Sequence, residues 1–210
     1  HASEVKAKLE ELGIAVFIDQ SSMEPHPLGR TEWIKLYGAL LNKEETADAL
    51  FAEQVKYLNE AMGTEGSGKT VAFFHISSSG YVVARKSGDY VSKMIELAGG
   101  NYVFENLGDP EKNNSTVTIE METFYATAKD ADFIIYNSAI TGEIETLEQL
   151  LKINPLLKDF KAVQNGNVWC TAQNMYQETM QLGQMTREMH SIFTATDADT
   201  LHLDYLYKLK

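Results

Sequence analysis

Short runs of consecutive apolar residues alternate with helix-period segments along this sequence, and this alternation limits the fold more than any other feature. Runs rich in β-branched and aromatic residues occur at 71–76, at 132–136 and around Val168. Segments with helical spacing of apolar residues lie between and around them, for example at 44–62 and 177–193. Continuous apolar runs are typical of strands buried on both faces, as in parallel sheets covered by helices. The sequence therefore predicts an α/β fold: a Rossmann-like lobe with a mainly parallel sheet flanked by helices.

Both ends of the chain are also predicted to carry regular structure. A first helix precedes an apolar run at 14–18, which is interpreted as a buried strand. Thr31 is the candidate N-cap of the helix that follows. A short strand pair is predicted around Ala162 and Val168, and a last helix at 199–209.

Charge and cysteine content narrow the function classes. The chain has 30 acidic and 18 basic side chains, a formal charge of -12. A field of this sign repels phosphate backbones, so it argues against nucleic acid as a partner. The single cysteine, Cys170, excludes an intramolecular disulfide, and its apolar neighbours predict a buried, unreactive thiol. No apolar stretch approaches the ~20 residues that span a bilayer.

One segment matches a nucleotide-binding pattern, but in the wrong context. Residues 63–70 fit the phosphate-loop pattern G-x-x-x-x-G-K-[ST], including Lys69. That pattern works because a strand delivers the loop and a helix leaves it, so that amides and the helix N-terminus meet the phosphates. Here a predicted helix enters and a predicted strand leaves. A flexible linker is therefore the favoured interpretation, and a nucleotide-dependent enzyme is the alternative that depends on this match.

Candidate ligand contacts follow three of the predicted strands. In an open α/β sheet, ligands bind outside the carboxyl ends of the strands. Aromatic, amide, hydroxyl and thioether side chains at these ends suit a large ligand that is partly flat and partly polar. Met175 and Tyr176, in a loop before a helix, are predicted to be the best exposed contacts. The candidate ligand-binding residues are His75, Ser78, Tyr81, Tyr136, Asn137, Trp169, Met175, Tyr176 and Gln177.

Catalytic and metal-binding patterns are not evident. The five histidines are scattered, with no pair at metal-ligand spacing, and there is no G-x-S-x-G elbow. Glu143 and Glu145 are interpreted as solvated surface. The sequence therefore predicts a binding protein without an intrinsic cofactor rather than an enzyme.

Five segments carry a family resemblance when they are taken in order. They read VKAKLEELGIAVF, RTEWIKLYGALLNKEETADALF, KTVAFFHISSSGYVVARKSGDYVSKMIELAGG, VTIEMETFYATAKDADFIIY and NPLLKDFKAVQNGNVWC. Together they resemble the two-lobed, helical-backbone substrate-binding proteins of ABC importers, which carry iron siderophores, haem and cobalamin. The match covers nearly the whole chain, and its specificity lies in the order and spacing of the segments.

The resemblance implies a division of the chain and a set of partners. Residues 1–43 would be a remnant of the N-terminal lobe, 44–62 the helix between the lobes, and 63–210 the C-terminal ligand-binding lobe. Such proteins hold cargo in the cleft and deliver it to permease subunits in the membrane. A Glu at each lobe tip pairs with permease arginines in this family, and Glu122 matches the second-lobe position, with Glu120 as the near alternative. An acidic residue in a first helical turn also simply favours the helix dipole.

The resemblance also implies a location and a departure from the family pattern. The protein would be extracytoplasmic, either periplasmic or lipid-anchored, with its signal segment outside this chain. Most of the first lobe would be missing, and the orphaned helix and strand at 4–18 would offer an edge for self-association.

The cargo stays open among ferric siderophores, haem and cobalamin. Haem favours His, Met or Tyr ligands, whereas anionic siderophores call for cations, of which only Arg85 and Lys86 lie near the predicted rim. A sensor or interaction domain without small-molecule cargo is the remaining alternative.

Overall fold

A computed structural model of the protein describes residues 2–63, 65–109, 112 and 114–210. Its centre is a seven-stranded sheet whose strand order is β4-β2-β1-β5-β6-β7, with β3 paired to the start of β1. The strands are β1 (Thr70–Ile76), β2 (Val82–Arg85), β3 (Asn101–Tyr102), β4 (Thr116–Ile119), β5 (Phe133–Tyr136), β6 (Val168–Thr171) and β7 (Leu206–Lys208).

The α-helices lie before and between these strands. They are α1 (Ala2–Glu11), α2 (Pro27–Leu41), α3 (Glu44–Met62), α4 (Tyr90–Leu97), α5 (Met121–Ala128), α6 (Ser138–Thr141), α7 (Leu147–Ile153), α8 (Lys161–Gln164) and α9 (Leu182–Thr194). Within the described residues none of them is both long and apolar enough to cross a bilayer.

The sheet is parallel at its centre and antiparallel towards its edges. β1 pairs in parallel with β3 and β5, and β5 pairs in parallel with β6. The β1–β2, β2–β4 and β6–β7 pairs are antiparallel. β2 follows β1 after only five residues, which is enough for a hairpin but too few for the crossover that a parallel pair needs. The α/β prediction is confirmed, and the sheet is mixed.

The core lies on both faces of β1 and β5. Residues 71–74 and 134–136 are at most 1% exposed, as expected for strands covered on both sides. On one face Phe124 from α5 stacks against Phe74 and Phe160, with ring centroids 4.3 and 5.3 Å apart. These aromatic contacts fix α5 over the sheet.

Helices α2 and α3, which precede the sheet in the chain, pack against α9, which follows β6. Gln54 of α3 is buried, and its Oε1 accepts hydrogen bonds from the backbone amides of Gly183 and Gln184 at 3.1 and 3.3 Å. A Cβ at Gly183 would lie 2.2 Å from the carbonyl oxygen of Gln54. Only glycine therefore allows this close approach of α3 to the start of α9.

Two predictions for the N-terminal region are wrong. Residues 14–18 form no strand, and Ile14, Phe17 and Ile18 are exposed, because no described strand lies beside them to complete a ladder. Thr31 does not cap its helix. That helix begins at Pro27, with His26 as N-cap accepting from the amide of Leu28 through Nδ1 at 3.2 Å.

The C-terminal half also departs from the sequence prediction. The helix expected at 199–209 is instead a short 3-10 turn followed by β7, and the buried carboxylate of Glu188 accepts from the amides of Asp204 and Tyr205 at 3.0 and 2.9 Å. Ala162 lies in α8 rather than in a strand pair. The regular α-helix expected from 177 begins at Leu182, after a 3-10 turn.

The segment that fits the phosphate-loop pattern has the order expected of a linker. Gly63 ends α3 and Thr70 begins β1, while Thr64 lies outside the described residues. No helix N-terminus follows the loop, so the dipole that binds phosphate is lacking at this point of the described chain. The Thr70 hydroxyl donates to Asp132 Oδ2 at 3.0 Å, and this carboxylate joins the starts of β1 and β5.

Candidate functional site

A cavity of about 810 Å³ opens at the carboxyl ends of β1 and β5. This is the edge where ligands gather in open α/β sheets, and the volume falls in the range of small-molecule sites. Its lining residues are His75, Ile76, Ser77, Ser78, Gly80, Tyr136, Ile140, Thr141, Gly142, Glu143, Ile144, Gln149 and Ile153.

The turn after β1 forms one wall of this cavity. The Gly80 amide donates to the Ser77 carbonyl at 2.9 Å, and the Ser77 amide donates to the Tyr81 carbonyl at the same distance. Gly80 has a φ of +84°, which side-chain-bearing residues rarely adopt. The tight turn therefore holds Ser78 at the rim beside His75. Tyr81 is exposed next to Gly80 but is not among the lining residues.

The segment between β5 and α7, together with α7 itself, forms the opposite wall, which was not predicted from the sequence. Ile140 and Ile153 supply apolar surface, and they are 54% and 42% exposed. Gln149 takes part in a capping box with Thr146 at the start of α7. Glu143 is exposed, in agreement with its interpretation as solvated surface, and it also lines this wall. The sequence does carry a signal for this wall: Ile140 and Ile144 flank the short segment 141–143 shortly after the buried strand β5.

Tyr136 forms the floor of the cavity. Its side chain is fully buried at the end of β5 and meets Phe74 edge-on at a centroid distance of 5.6 Å. Its hydroxyl accepts weak hydrogen bonds from the Ile76 amide and the Thr141 hydroxyl at 3.4 and 3.5 Å. The prediction that Tyr136 reaches the site agrees with this position.

His75 presents a half-buried imidazole to the cavity. Burial, and then the nearby charge of Arg85, lower its pKa. The neutral ring is therefore favoured at neutral pH, and a neutral imidazole offers one nitrogen as an acceptor or metal ligand.

The buried Asn137 and the half-buried Tyr176 belong to a polar network rather than to the cavity lining. The Tyr176 hydroxyl accepts from Asn137 Nδ2 at 2.8 Å and also from Arg85 Nη2. Arg85 in turn pairs with Asp89, 3.5 Å away. Burial raises the pKa of Tyr176, so its phenol stays protonated at neutral pH. The network anchors the loop before α9 against the end of β5.

The remaining predicted contacts do not come to the cavity. Met175 was expected on an exposed loop, but it is 2% exposed and packs in the core, so that expectation is wrong. Trp169 is equally buried within β6, where its Nε1 has no hydrogen-bond partner among the described residues. Gln177 is exposed but does not line the cavity. The end of β6 therefore contributes less to the site than the ends of β1 and β5.

Other predicted features lie away from the cavity. Cys170 is buried, as predicted, and burial raises the pKa of its thiol to about 12. Glu122 is exposed in the first turn of α5, and Glu120 is the N-cap residue of that helix. Across the described part of the chain, no group of three or more His, Cys, Asp or Glu side chains could hold a metal ion.

Comparison with known proteins places this architecture in a family. Residues 3–174 match the family model described as periplasmic binding protein. An uncharacterized lipoprotein of Methanocaldococcus jannaschii is 33% identical over 176 residues, which cover 81% of this chain and 40% of the relative. The chain spans less than half the length of the curated relatives it matches.

Solved structures share the fold at low sequence identity. A possible iron-binding periplasmic solute-binding protein of Staphylococcus epidermidis aligns with a TM-score of 0.69 at 13% identity, covering 92% of this chain and 72% of its own. A periplasmic heme-binding protein of Vibrio cholerae aligns with a TM-score of 0.69 at 17% identity, covering 89% and 72%. These are binding proteins rather than enzymes. Because the family model covers most of its length, this chain belongs to the periplasmic binding protein family.

Proposed function

We propose that this protein is the substrate-binding component of an ABC importer and that it captures a metal chelate, such as a ferric siderophore, haem or cobalamin. The observation that carries the proposal is the 810 Å³ cavity at the carboxyl ends of β1 and β5 in a member of this family. Its mixture of apolar wall, hydroxyls and a neutral imidazole suits a bulky ligand with few polar anchors. A heme-binding protein and a protein described as possibly iron-binding share this fold, and both support this cargo class.

Within the cavity, we assign cargo contact to His75, Ser78 and Tyr136, with Tyr81 at the rim. His75 is the residue best suited to meet a metal or a polar edge of the chelate, because its neutral ring faces the open space. The Asn137–Tyr176 pair would act indirectly, by holding the loop before α9.

The proposal includes delivery to a permease and the division of the chain given by the family resemblance. Glu122 is exposed on α5, where a carboxylate can meet a basic partner surface. Residues 1–43 would belong to a first lobe, 44–62 to the helix between the lobes and 63–210 to the second lobe. The tight packing of Gln54 against Gly183 means that α3 would move with the second lobe. The protein would work outside the cytoplasm, in agreement with the lipoprotein name of a relative.

We separately propose that two copies of this chain associate. The exposed apolar residues at 14–18 would meet a second copy of the chain. A monomer by size-exclusion chromatography with light scattering, at concentrations up to the millimolar range, would contradict it.

Visible-absorption titration tests the cargo proposal. The chain is titrated with haem, cobalamin and a panel of ferric chelates, together with His75→Ala and the matched control His202→Ala, whose histidine is exposed outside the cavity. We expect saturable binding of one class, weakened roughly tenfold or more by His75→Ala, the size of one lost polar anchor, and unchanged by His202→Ala. Absence of binding by every chelate, from a chain shown to be folded by circular dichroism, would overturn the proposal.

A further inference from the structure

The charges that face the cavity point to the kind of chelate it accepts. Of the described residues that line it, Glu143 carries a carboxylate and none is a lysine or an arginine. The only other titratable groups are the phenol of Tyr136 and the imidazole of His75, whose pKa is lowered by burial. The lining therefore offers a bound ligand one negative charge and no fixed positive charge.

The cation nearest in sequence to this wall is Lys152, beside Ile153 in α7; it is exposed, pairs with Glu148 at 2.8 Å and does not line the cavity. The two cations at the end of β2 are also engaged elsewhere. Arg85 is buried, pairs with Asp89 at 3.5 Å and donates to the Tyr176 hydroxyl. Turning it towards the cavity would leave a buried carboxylate without its partner, which is strongly unfavourable. Lys86 is also buried, and its Nζ donates to the Lys112 carbonyl at 2.7 Å. Neither side chain lines the cavity.

The apolar part of the wall favours the same class of ligand. Ile140, Ile144 and Ile153 line the cavity together with Glu143. The exposed carboxylate of Glu143 repels a second negative charge that enters the cavity beside it. A chelate with free carboxylates would therefore lose solvation on entering and find no cation in this wall.

We propose that this cavity selects an uncharged or cationic metal chelate and discriminates against anionic ones, with Glu143 as the specificity-determining residue. The inference rests on the proposed function, since it concerns the cargo of the same site. It narrows the cargo by charge, whichever metal the chelate carries.

Three forms of a single ferric trihydroxamate test this charge selection. One keeps a terminal ammonium group, one has that group acetylated and is neutral, and one has it succinylated and ends in a carboxylate. The chelate core is identical, so differences in dissociation constant report the charge. We expect the cationic and neutral forms to bind at least about tenfold more tightly than the anionic form, the size of one charge-assisted contact.

Variants at Glu143 and at the neighbouring control Glu145 test which residue causes the charge selectivity. Glu143→Gln should weaken the cationic form roughly tenfold and leave the neutral form unchanged, whereas Glu145→Gln should alter neither, because Glu145 lies outside the lining. Anionic binding equal to or tighter than neutral binding would overturn the inference while leaving the proposed function intact. Unchanged selectivity in Glu143→Gln would overturn the role of that residue. Failure of all three forms, and of haem and cobalamin, would instead remove the proposed function itself.

Discussion

The sheet-containing region and the N-terminal region of this molecule use similar apolar residues with opposite results. In the sheet region, Phe124 is fully buried between strands and helices. In the N-terminal region, Phe17 is 52% exposed and Leu12 and Leu41 more so. Both regions have the composition of a core, but only the first has layers on both sides. Apolar sequence thus specifies burial only where a second element lies opposite to cover it.

The largest expected difference between the two regions is in unfolding free energy on truncation of an aromatic ring. Phe124→Ala should reduce the unfolding free energy by about 3–5 kcal/mol, because the ring leaves a cavity among Phe74, Phe104 and Phe160. Phe17→Ala should cost less than about 1 kcal/mol, since its ring contacts only Trp33 among described aromatic rings and is largely in solvent. Urea denaturation followed by circular dichroism measures both. Equal losses would show that the N-terminal region is buried in solution and would break the comparison.

Two glycines test how tightly the segment between α3 and β1, which connects the two regions, is packed. Both Gly99 and Gly68 have positive φ, at +81° and +63°. A Cβ at Gly99 would also lie 2.6 Å from Gly66 Cα, whereas a Cβ at Gly68 would meet no atom within 4 Å. Gly99→Ala should therefore cost about 2–4 kcal/mol, from strain and overpacking together, and Gly68→Ala about 1–2 kcal/mol from strain alone.

Thermal and urea unfolding of these two variants provide the measurement. A Gly99→Ala loss no larger than that of Gly68→Ala would mean that the segment 65–69 moves away from Gly99 at little cost. In that case the joint between α3 and β1 would be looser than the contacts indicate.

The sequence predicted the sheet region well because its signals are local. Continuous apolar runs identified β1, β5 and β6, and helical spacing identified α3. The strand expected at 14–18 had the same local signal, but a strand also needs a neighbour for its backbone hydrogen bonds, and sequence alone does not supply one. The helix predicted at 199–209 does not form, because contacts from elsewhere in the chain hold this segment in an extended conformation. The carboxylate of Glu188 accepts hydrogen bonds from the amides of Asp204 and Tyr205, and the chain that follows pairs with β6.

Only part of the candidate site was predicted from the sequence, because strand ends can be located from local patterns whereas the packing of loops cannot. Strand ends led directly to His75, Ser78 and Tyr136, since the carboxyl edge of a parallel sheet is a property of topology. Whether a side chain after β6 faces solvent or core depends on the packing of the following loop, so Met175 was misplaced. Glu143 looked like any surface acid, and only the three-dimensional wall gives it a place in the site.

The smallest effect concerns the carboxylate that ties β1 to β5. Asp132 Oδ2 accepts from the Thr70 amide, and Oδ1 accepts from Lys161 Nζ at 2.7 Å. Burial alone would raise the pKa of this carboxyl, but the bonds from Lys161 and Thr70 outweigh burial and the pKa is lowered. Asp132→Asn should cost about 1–2 kcal/mol at pH 7, whereas Asp130→Asn, at an exposed pair with Lys129, should cost less than about 0.5 kcal/mol.

The pH dependence of this effect has a definite sign. A carboxyl whose pKa is lower in the folded state than in the unfolded chain stabilises the fold above the unfolded value, and this contribution is lost as the pH falls through the folded value. The difference in unfolding free energy between the wild type and Asp132→Asn should therefore be constant near neutrality and shrink below about pH 4. Urea titrations from pH 7 to pH 3 measure it. A difference in unfolding free energy that stays constant to pH 3 would show that the contacts of Asp132 between β1 and β5 depend on the shape of the side chain rather than on its charge.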